Sequence, residues 1–304
     1  MNFSNHLHVP VLSGEFENLL NVRPGGVYID ATFGRGGHSK IVLSKLSSTG
    51  RLLVFDRDVC AISCAKDLAN NDSRIEIFHS EFSEIPSILS TLRKKIDGIF
   101  FDLGVSSPQL ENSSRGFSFK CDGPLDMRMN QEKGRTAEDW INSAPEKEIA
   151  DVLWRFGEER LSRKIAKKIV YYRKDKAIKT TGVLADIIRS SIKGSYKIDP
   201  ATRSFQAIRM LINEELLELE SILASVLCML KKGGRLLVIS FHSIEDRLVK
   251  HHFRDLSKVD TSLSGKGSPD YRLLTKKPIR ATREEIQANR RSRSARLRGL
   301  ECLV

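Results

Sequence analysis

Long apolar runs are missing from this chain of 304 residues. None approaches the ~20 residues that a membrane-spanning helix needs. The longest, such as Leu236–Phe241, are of strand size. The opening residues, Met1-Asn-Phe-Ser-Asn-His, lack the basic and apolar regions of a secretory signal. Both absences speak for a cytoplasmic protein with no membrane partner. Cysteine is also scarce. Five cysteines, an odd number, argue against a disulfide framework and for a reducing compartment. Cys60 and Cys64 stand four apart on a predicted helix, but two further ligands for zinc are missing. They are expected to pack as small apolar groups, and no metal site is expected. No internal repeat or low-complexity tract is present. Hydrophobic content of 40% and charged content of 29% describe a globular chain, long enough for one domain carrying an insertion.

Positive charge is abundant. The net charge of +12 favours a polyanionic partner, with nucleic acid the first candidate. The basic residues cluster. Lys164, Lys167, Lys168, Arg173, Lys174 and Lys176 crowd one segment, and nine Lys and Arg between Lys276 and Arg298 crowd another. Such clusters suit a phosphate backbone, although the first also fits a solvated helix face.

The segment Tyr28-Ile-Asp-Ala-Thr-Phe-Gly-Arg-Gly-Gly-His-Ser39 carries the most information. An apolar strand ends at Asp30, a turn follows at Gly34, Gly36 and Gly37, and a helix opens near Ser39. Glycines there let the backbone approach a ligand, and the helix start offers unpaired N–H groups. A dinucleotide fingerprint would need a third glycine where Ser39 stands. Asp56, closing the strand Leu52–Asp56, suits ribose hydroxyls in either cofactor class. Asp30 is awkward beside a pyrophosphate but suits the ammonium of a methionine moiety. The balance favours S-adenosylmethionine over a nicotinamide dinucleotide.

Along the chain, strands are predicted at Val27–Ala31, Arg51–Asp56, Arg74–His79 and Ile96–Asp102. Helices are predicted at Ser39–Leu46, Val59–Leu68 and Ile85–Lys94. This alternation implies a mostly parallel, Rossmann-like sheet, with the ligand beyond the carboxyl ends of the strands. It stops after Asp102. Thr136 to Ser191 reads as helical and strongly charged, and Pro200 interrupts. The stretch Ser204–Leu230 is helical again before a fifth strand at Arg235–Ser240. The expected division is therefore residues 1–111 with 210–304 for the α/β domain, and 112–209 for an inserted helical domain. After the fifth strand, Ser243 with Asp246 three residues on fits an N-cap for a helix Ile244–Phe253. A Ser/Gly-rich loop is expected at Ser257–Pro269, then edge strands at Thr275–Ala281 and Ser294–Arg298.

Taken together, His8-Val-Pro-Val-Leu12, Tyr28–Ser39, Phe55-Asp-Arg-Asp58, Phe101–Leu110, Arg115-Gly-Phe-Ser-Phe119, Asp122–Met129, Phe156-Gly-Glu-Glu-Arg160, Ala201–Arg209 and Ile239–Arg247 form a set in order along nearly the whole chain. In these segments the chain closely resembles the RsmH (MraW) family of bacterial 16S rRNA cytosine-N4 methyltransferases. The resemblance implies a class I S-adenosylmethionine-dependent fold with an inserted helical domain for RNA recognition. It implies a cytidine in the decoding region of the small ribosomal subunit as substrate. It also implies cofactor contacts at Gly36, Gly37, His38, Asp56, Phe82, Asp102 and Gln109. One departure lies near the end, where Asn289-Arg290-Arg291-Ser-Arg293-Ser lacks the proline of the family pattern and leaves the start of the last strand open. Oligomeric state is open as well.

Methyl transfer to nitrogen is an in-line displacement that depends on alignment. An acceptor on the N4 amine favours a pyramidal nitrogen and takes up the lost proton, which makes Asp102 the candidate catalytic residue. Phe117, Phe119 and Phe241 are candidates for stacking on the base, or core. Methylation at carbon 5 would need a cysteine thiolate, but no cysteine follows a proline here, and Asp122 beside Cys121 disfavours a thiolate. His38 and His242 can each be read as base or as structural histidine. Arg128, Arg203 and Arg209 are candidate RNA contacts. The remaining alternative is a non-catalytic RNA-binding assembly factor with a vestigial S-adenosylmethionine site.

Overall fold

The structure, a computed structural model, describes residues 10–192, 198–258 and 269–304. His8 and Val9 of the first motif, and residues 259–268 of the expected loop, lie outside the described residues. No helix among the described residues is long and apolar enough to cross a membrane. The chain divides into two compact units, residues 1–104 with 218–304, and Val105–Leu217.

The first unit begins with α1 (Ser13–Leu20), β1 (Val27–Asp30), α2 (Gly37–Lys45), β2 (Arg51–Asp56), α3 (Val59–Ala69), β3 (Ile75–His79), α4 (Ile85–Leu92) and β4 (Ile96–Asp102). The second holds α5 (Ser107–Glu111), α6 (Ala137–Ser143), α7 (Glu146–Gly157), α8 (Ser162–Arg173), α9 (Thr181–Ser191) and α10 (Ala201–Ile212). The boundary back to the first unit falls within α11 (Glu215–Ser225). The chain then continues through β5 (Leu230–Ser240), α12 (Ser243–Leu256), β6 (Tyr271–Leu273), α13 (Arg283–Ala288) and β7 (Arg296–Cys302).

The seven strands form one sheet in the order β3-β2-β1-β4-β5-β7-β6. The first five are parallel, and β7 runs antiparallel to both β5 and β6. This is an α/β fold of the class I methyltransferase type. Its central strands are buried on both faces, so they read as unbroken apolar runs such as Leu52-Leu-Val-Phe55. One core lies around Ile29, Leu53, Phe55, Ile99 and Phe101, and another around Leu12, Phe16, Tyr28, Phe100 and Ile239.

Some expected elements differ, and the fifth strand starts at Leu230 and not at Arg235. Thr275–Ala281 is no strand; Ile279 alone bridges to Leu297, while the edge strand is Tyr271–Leu273. The expected strand at Ser294–Arg298 is displaced, with β7 running Arg296–Cys302. The stretch Ser204–Leu230, expected as helical with a second half from Glu214, divides at Glu214, which takes a left-handed φ of 49°, and its α-helix ends at Ser225.

The second unit has its own apolar core, with Trp140, Ile149, Leu153, Ile165, Ile188 and Ile208 fully buried. The polar segment ahead of α6 is tied down within this unit. Asn213 donates from Nδ2 to the Met127 carbonyl at 2.7 Å and accepts the Met129 N–H at 2.7 Å. Arg115 donates to the Met129 carbonyl at 2.9 Å.

Candidate active site

In the first unit the parallel register brings the carboxyl ends of β1, β2 and β4 to one edge, and each ends in an aspartate. The glycine turn hangs on all three. Asp30 accepts the Thr32 N–H at 3.1 Å and the Ser39 hydroxyl at 2.6 Å. Asp56 accepts the Gly34 N–H at 2.8 Å through Oδ2 and the Asp58 N–H at 2.9 Å through Oδ1. The Asp102 backbone N–H donates to the Thr32 hydroxyl at 2.6 Å. Gly36 is the N-cap of α2 with φ 71°, and an added Cβ would lie 2.7 Å from the Phe33 ring, so glycine is required twice over.

Burial governs the electrostatics. Asp30 is 1% exposed, and desolvation raises its pKa to about 7 against the Ser39 and Thr32 hydrogen bonds that lower it. Burial also raises Asp56. Both oxygens of Asp30 are engaged in holding the loop. At 1% exposure, Asp30 organises the turn from beneath it.

His38 is 4% exposed. Its Nε2 lies 3.0 Å from the Val11 carbonyl and its Nδ1 lies 3.5 Å from Asp102 Oδ2. The other oxygen of Asp102, Oδ1, is buried with no hydrogen-bond partner among the described residues. Phe82 opens a short turn after β3 and packs edge-on against Phe101, ring centres 5.6 Å apart. Thr32 and Val11 escaped the sequence reading. No motif distinguishes a threonine that caps a neighbouring strand, or a residue that contributes only its carbonyl.

A sequence profile of the MraW methylase family matches residues 5–303. The chain belongs to that family. The Ribosomal RNA small subunit methyltransferase H of Ruthia magnifica is 47% identical over 302 residues, which cover 97% of each chain. Its counterpart in Neisseria gonorrhoeae is 45% identical over 305 residues, covering 98% of this chain and 96% of that one. Among solved structures, an rRNA methylase from Streptococcus thermophilus is similar with a TM-score of 0.42 and 12% identity, over 96% of this chain and 94% of that one. That likeness is too low to bear on activity.

As a member of this methyltransferase family, the chain assigns several other candidates to structural work. At the end of β5, Phe241 donates its N–H to Glu245 Oε2 at 3.1 Å. His242, not Ser243, is the N-cap of α12, accepting the Glu245 N–H at Nδ1 over 3.4 Å. Its Nε2 lies 2.9 Å from Glu245 Oε1. Cys60 is exposed, against expectation, whereas Cys64 is partly buried, packs against the core of the first unit and accepts from Arg35 at 3.1 Å.

In the second unit Gln109 is buried, and its Oε1 accepts the Ser106 N–H at 2.9 Å in a capping box for α5. Phe117 is core, and Phe119 packs edge-on against Phe205 with ring centres 4.7 Å apart. Arg128 is paired with Asp126 and Arg209 with Glu215, each through two hydrogen bonds, so both guanidinium groups are already engaged. Arg173 donates to the carbonyls of Ile141 and Ala144. Arg163, Lys164, Lys167 and Lys168 line the exposed side of α8, opposite the buried Ile165, Ala166 and Ile169.

Proposed function

We propose that the protein transfers the methyl group of S-adenosylmethionine to the exocyclic N4 of a cytidine in the RNA of the small ribosomal subunit. The observation that carries this reading is Asp102 at the end of β4, a part-exposed carboxyl group at the strand-end edge that bears the glycine turn. A carboxyl group exposed at that edge can accept from a ligand donor. The names of the relatives support ribosomal RNA of the small subunit as substrate.

When bound, S-adenosylmethionine supplies an already activated methyl group. The chain's own residues bind and align. Gly36 and Gly37 allow close approach of the backbone at the start of α2. Asp56 spends one lone pair of each oxygen on the turn and has the others for ribose hydroxyls. Phe82 offers an apolar wall, and Gln109 is carried as a further contact by family likeness. Asp102 accepts from the ligand or from the N4 amine through its part-exposed carboxyl group and so favours a pyramidal, nucleophilic nitrogen. The basic face of α8 is the candidate contact to RNA backbone.

The test is methyl transfer from radiolabelled S-adenosylmethionine to small-subunit particles, with nucleoside mass spectrometry of the product. N4-methylcytidine is the expected product. Binding of the particle without any transfer would instead mark a non-catalytic assembly factor.

A further inference from the structure

We infer that His38 is a positioning residue, which acts through Asp102 by fixing the orientation in which its part-exposed carboxyl group meets the ligand. This rests on the reading of Asp102 as a ligand-facing group. His38 itself has no free edge. Both ring nitrogens face oxygens, the Val11 carbonyl at 3.0 Å and Asp102 Oδ2 at 3.5 Å. The ring also packs on Phe16, centroids 4.5 Å apart, and lies 6.3 Å from Phe100.

The carbonyl can only accept, so Nε2 must carry a proton. A neutral ring would then turn its Nδ1 lone pair toward the Asp102 carboxylate, which is repulsive. The doubly protonated ring turns that contact into an ion pair. Its charge balance supports this form. Burial alone would lower the histidine pKa, but the Asp102 carboxylate on β4 and, more weakly, the Val11 carbonyl and then Asp30 on β1 outweigh it, and the net direction is up. The anchor is itself anchored. The Leu12 N–H donates to Glu285 Oε1 on α13 at 2.8 Å, and Leu12 holds a left-handed φ of 52°, which directs the preceding Val11 carbonyl. With Oδ2 beside His38 and the backbone N–H on Thr32, the Asp102 carboxyl group is fixed in one orientation.

Two measurements test this on the full chain. The first follows the His38 ring by NMR on protein labelled at histidine, the signal being assigned by its loss in His38→Gln. In the parent it should titrate above the ordinary ~6.5, and Asp102→Asn should move it down. The second is calorimetric affinity for S-adenosylmethionine against pH. In the parent, affinity should fall as pH rises through the His38 titration. His38→Gln keeps a donor at the Nε2 position but none toward Asp102; it should lose about tenfold at neutral pH, and the pH dependence with it. His38→Asn places an amide near the Nδ1 position and should restore much of that loss. A His38 signal at the ordinary pKa that ignores Asp102→Asn, or a His38→Gln protein that binds like the parent with the same pH profile, overturns the inference. Unchanged ligand affinity in Asp102→Asn, with the His38 shift present, instead overturns the reading of Asp102 on which it rests.

Discussion

Asp30 shows how one buried residue couples the glycine turn to pH. In an unfolded chain an aspartate loses its proton near ~3.9. In the fold, burial raises Asp30 to about 7. Between those values the folded state holds the extra proton, so this contribution to stability is full below about pH 4 and is lost as pH rises toward 7. The loss amounts to at most ~4 kcal/mol, from three units at ~1.4 kcal/mol each. Asp30→Asn carries no charge at any pH and should flatten that part of the stability profile, read by urea unfolding at several pH values between 4 and 8. An identical slope in parent and variant would show that Asp30 is ionised in the fold. Asp56 carries the other prediction at this scale. Asp56→Ala should weaken binding of S-adenosylmethionine by one or two charge-assisted hydrogen bonds, each about 1.5–3 kcal/mol. Unchanged affinity by calorimetry in a folded variant would remove Asp56 from the ligand contacts. The three aspartates were legible because each closes an apolar strand run. Their partners were not, since Thr32 and Val11 contribute a hydroxyl and a carbonyl that no spacing rule marks.

At the scale of elements, the antiparallel strand β7 is fastened to α12 by a buried ion pair. Arg298 is 6% exposed and donates to Asp246 Oδ1 at 2.7 Å and Oδ2 at 3.3 Å. Arg296 adds a contact at 3.2 Å. Removing one partner of a buried pair leaves a desolvated charge. Arg298→Met should therefore cost about 3 kcal/mol in urea unfolding, at the low end of the usual range because Arg296 remains. Adding Asp246→Leu should recover part of it. A single variant as stable as the parent would mean that the pair is solvated in practice. The same region is where element prediction failed. The strand β6 lies at the sheet edge and is only three residues long, while β7 stands between β5 and β6 and is mostly buried, but mixes Arg, Gly and Glu with its apolar residues, which weakens its pattern. The first four parallel strands, mostly buried on both faces, were read to within a residue, whereas the start of β5 was placed at Arg235 and lies at Leu230.

At the scale of the whole molecule, the net charge of +12 is unevenly useful. Of the basic segment near α8, Arg173 is consumed by carbonyls and Lys168 donates to the Ser190 carbonyl at 2.9 Å. Lys164 and Lys167 remain on the exposed face. Neutralising Lys164, Lys167 and Lys168 together should weaken RNA binding and flatten its dependence on salt by about one unit of slope per lost phosphate contact. Affinity for S-adenosylmethionine should stay as it was. Superimposable plots of log affinity against log salt would mean that this is a solvated face, and would turn attention to the arginines between Arg280 and Arg298.

Local pattern alone determined the alternating strands and helices, the glycine turn, the acids at the strand ends and the presence of a long helical insertion. Each of these is written in residues close together in the chain, through apolar periodicity, backbone freedom at glycine and the punctuation of a strand by a charge. Tertiary structure decided the rest. It spent Arg128, Arg209, Phe117 and Phe119 on the fold of the second unit, because buried charges and rings must find partners before they can serve a ligand. It brought Glu285 to Leu12 across 273 positions of sequence, and so set the carbonyl that holds His38. It also left one oxygen of Asp102 without a partner among the described residues. An open acceptor is defined by everything packed around it, and no stretch of sequence contains that information.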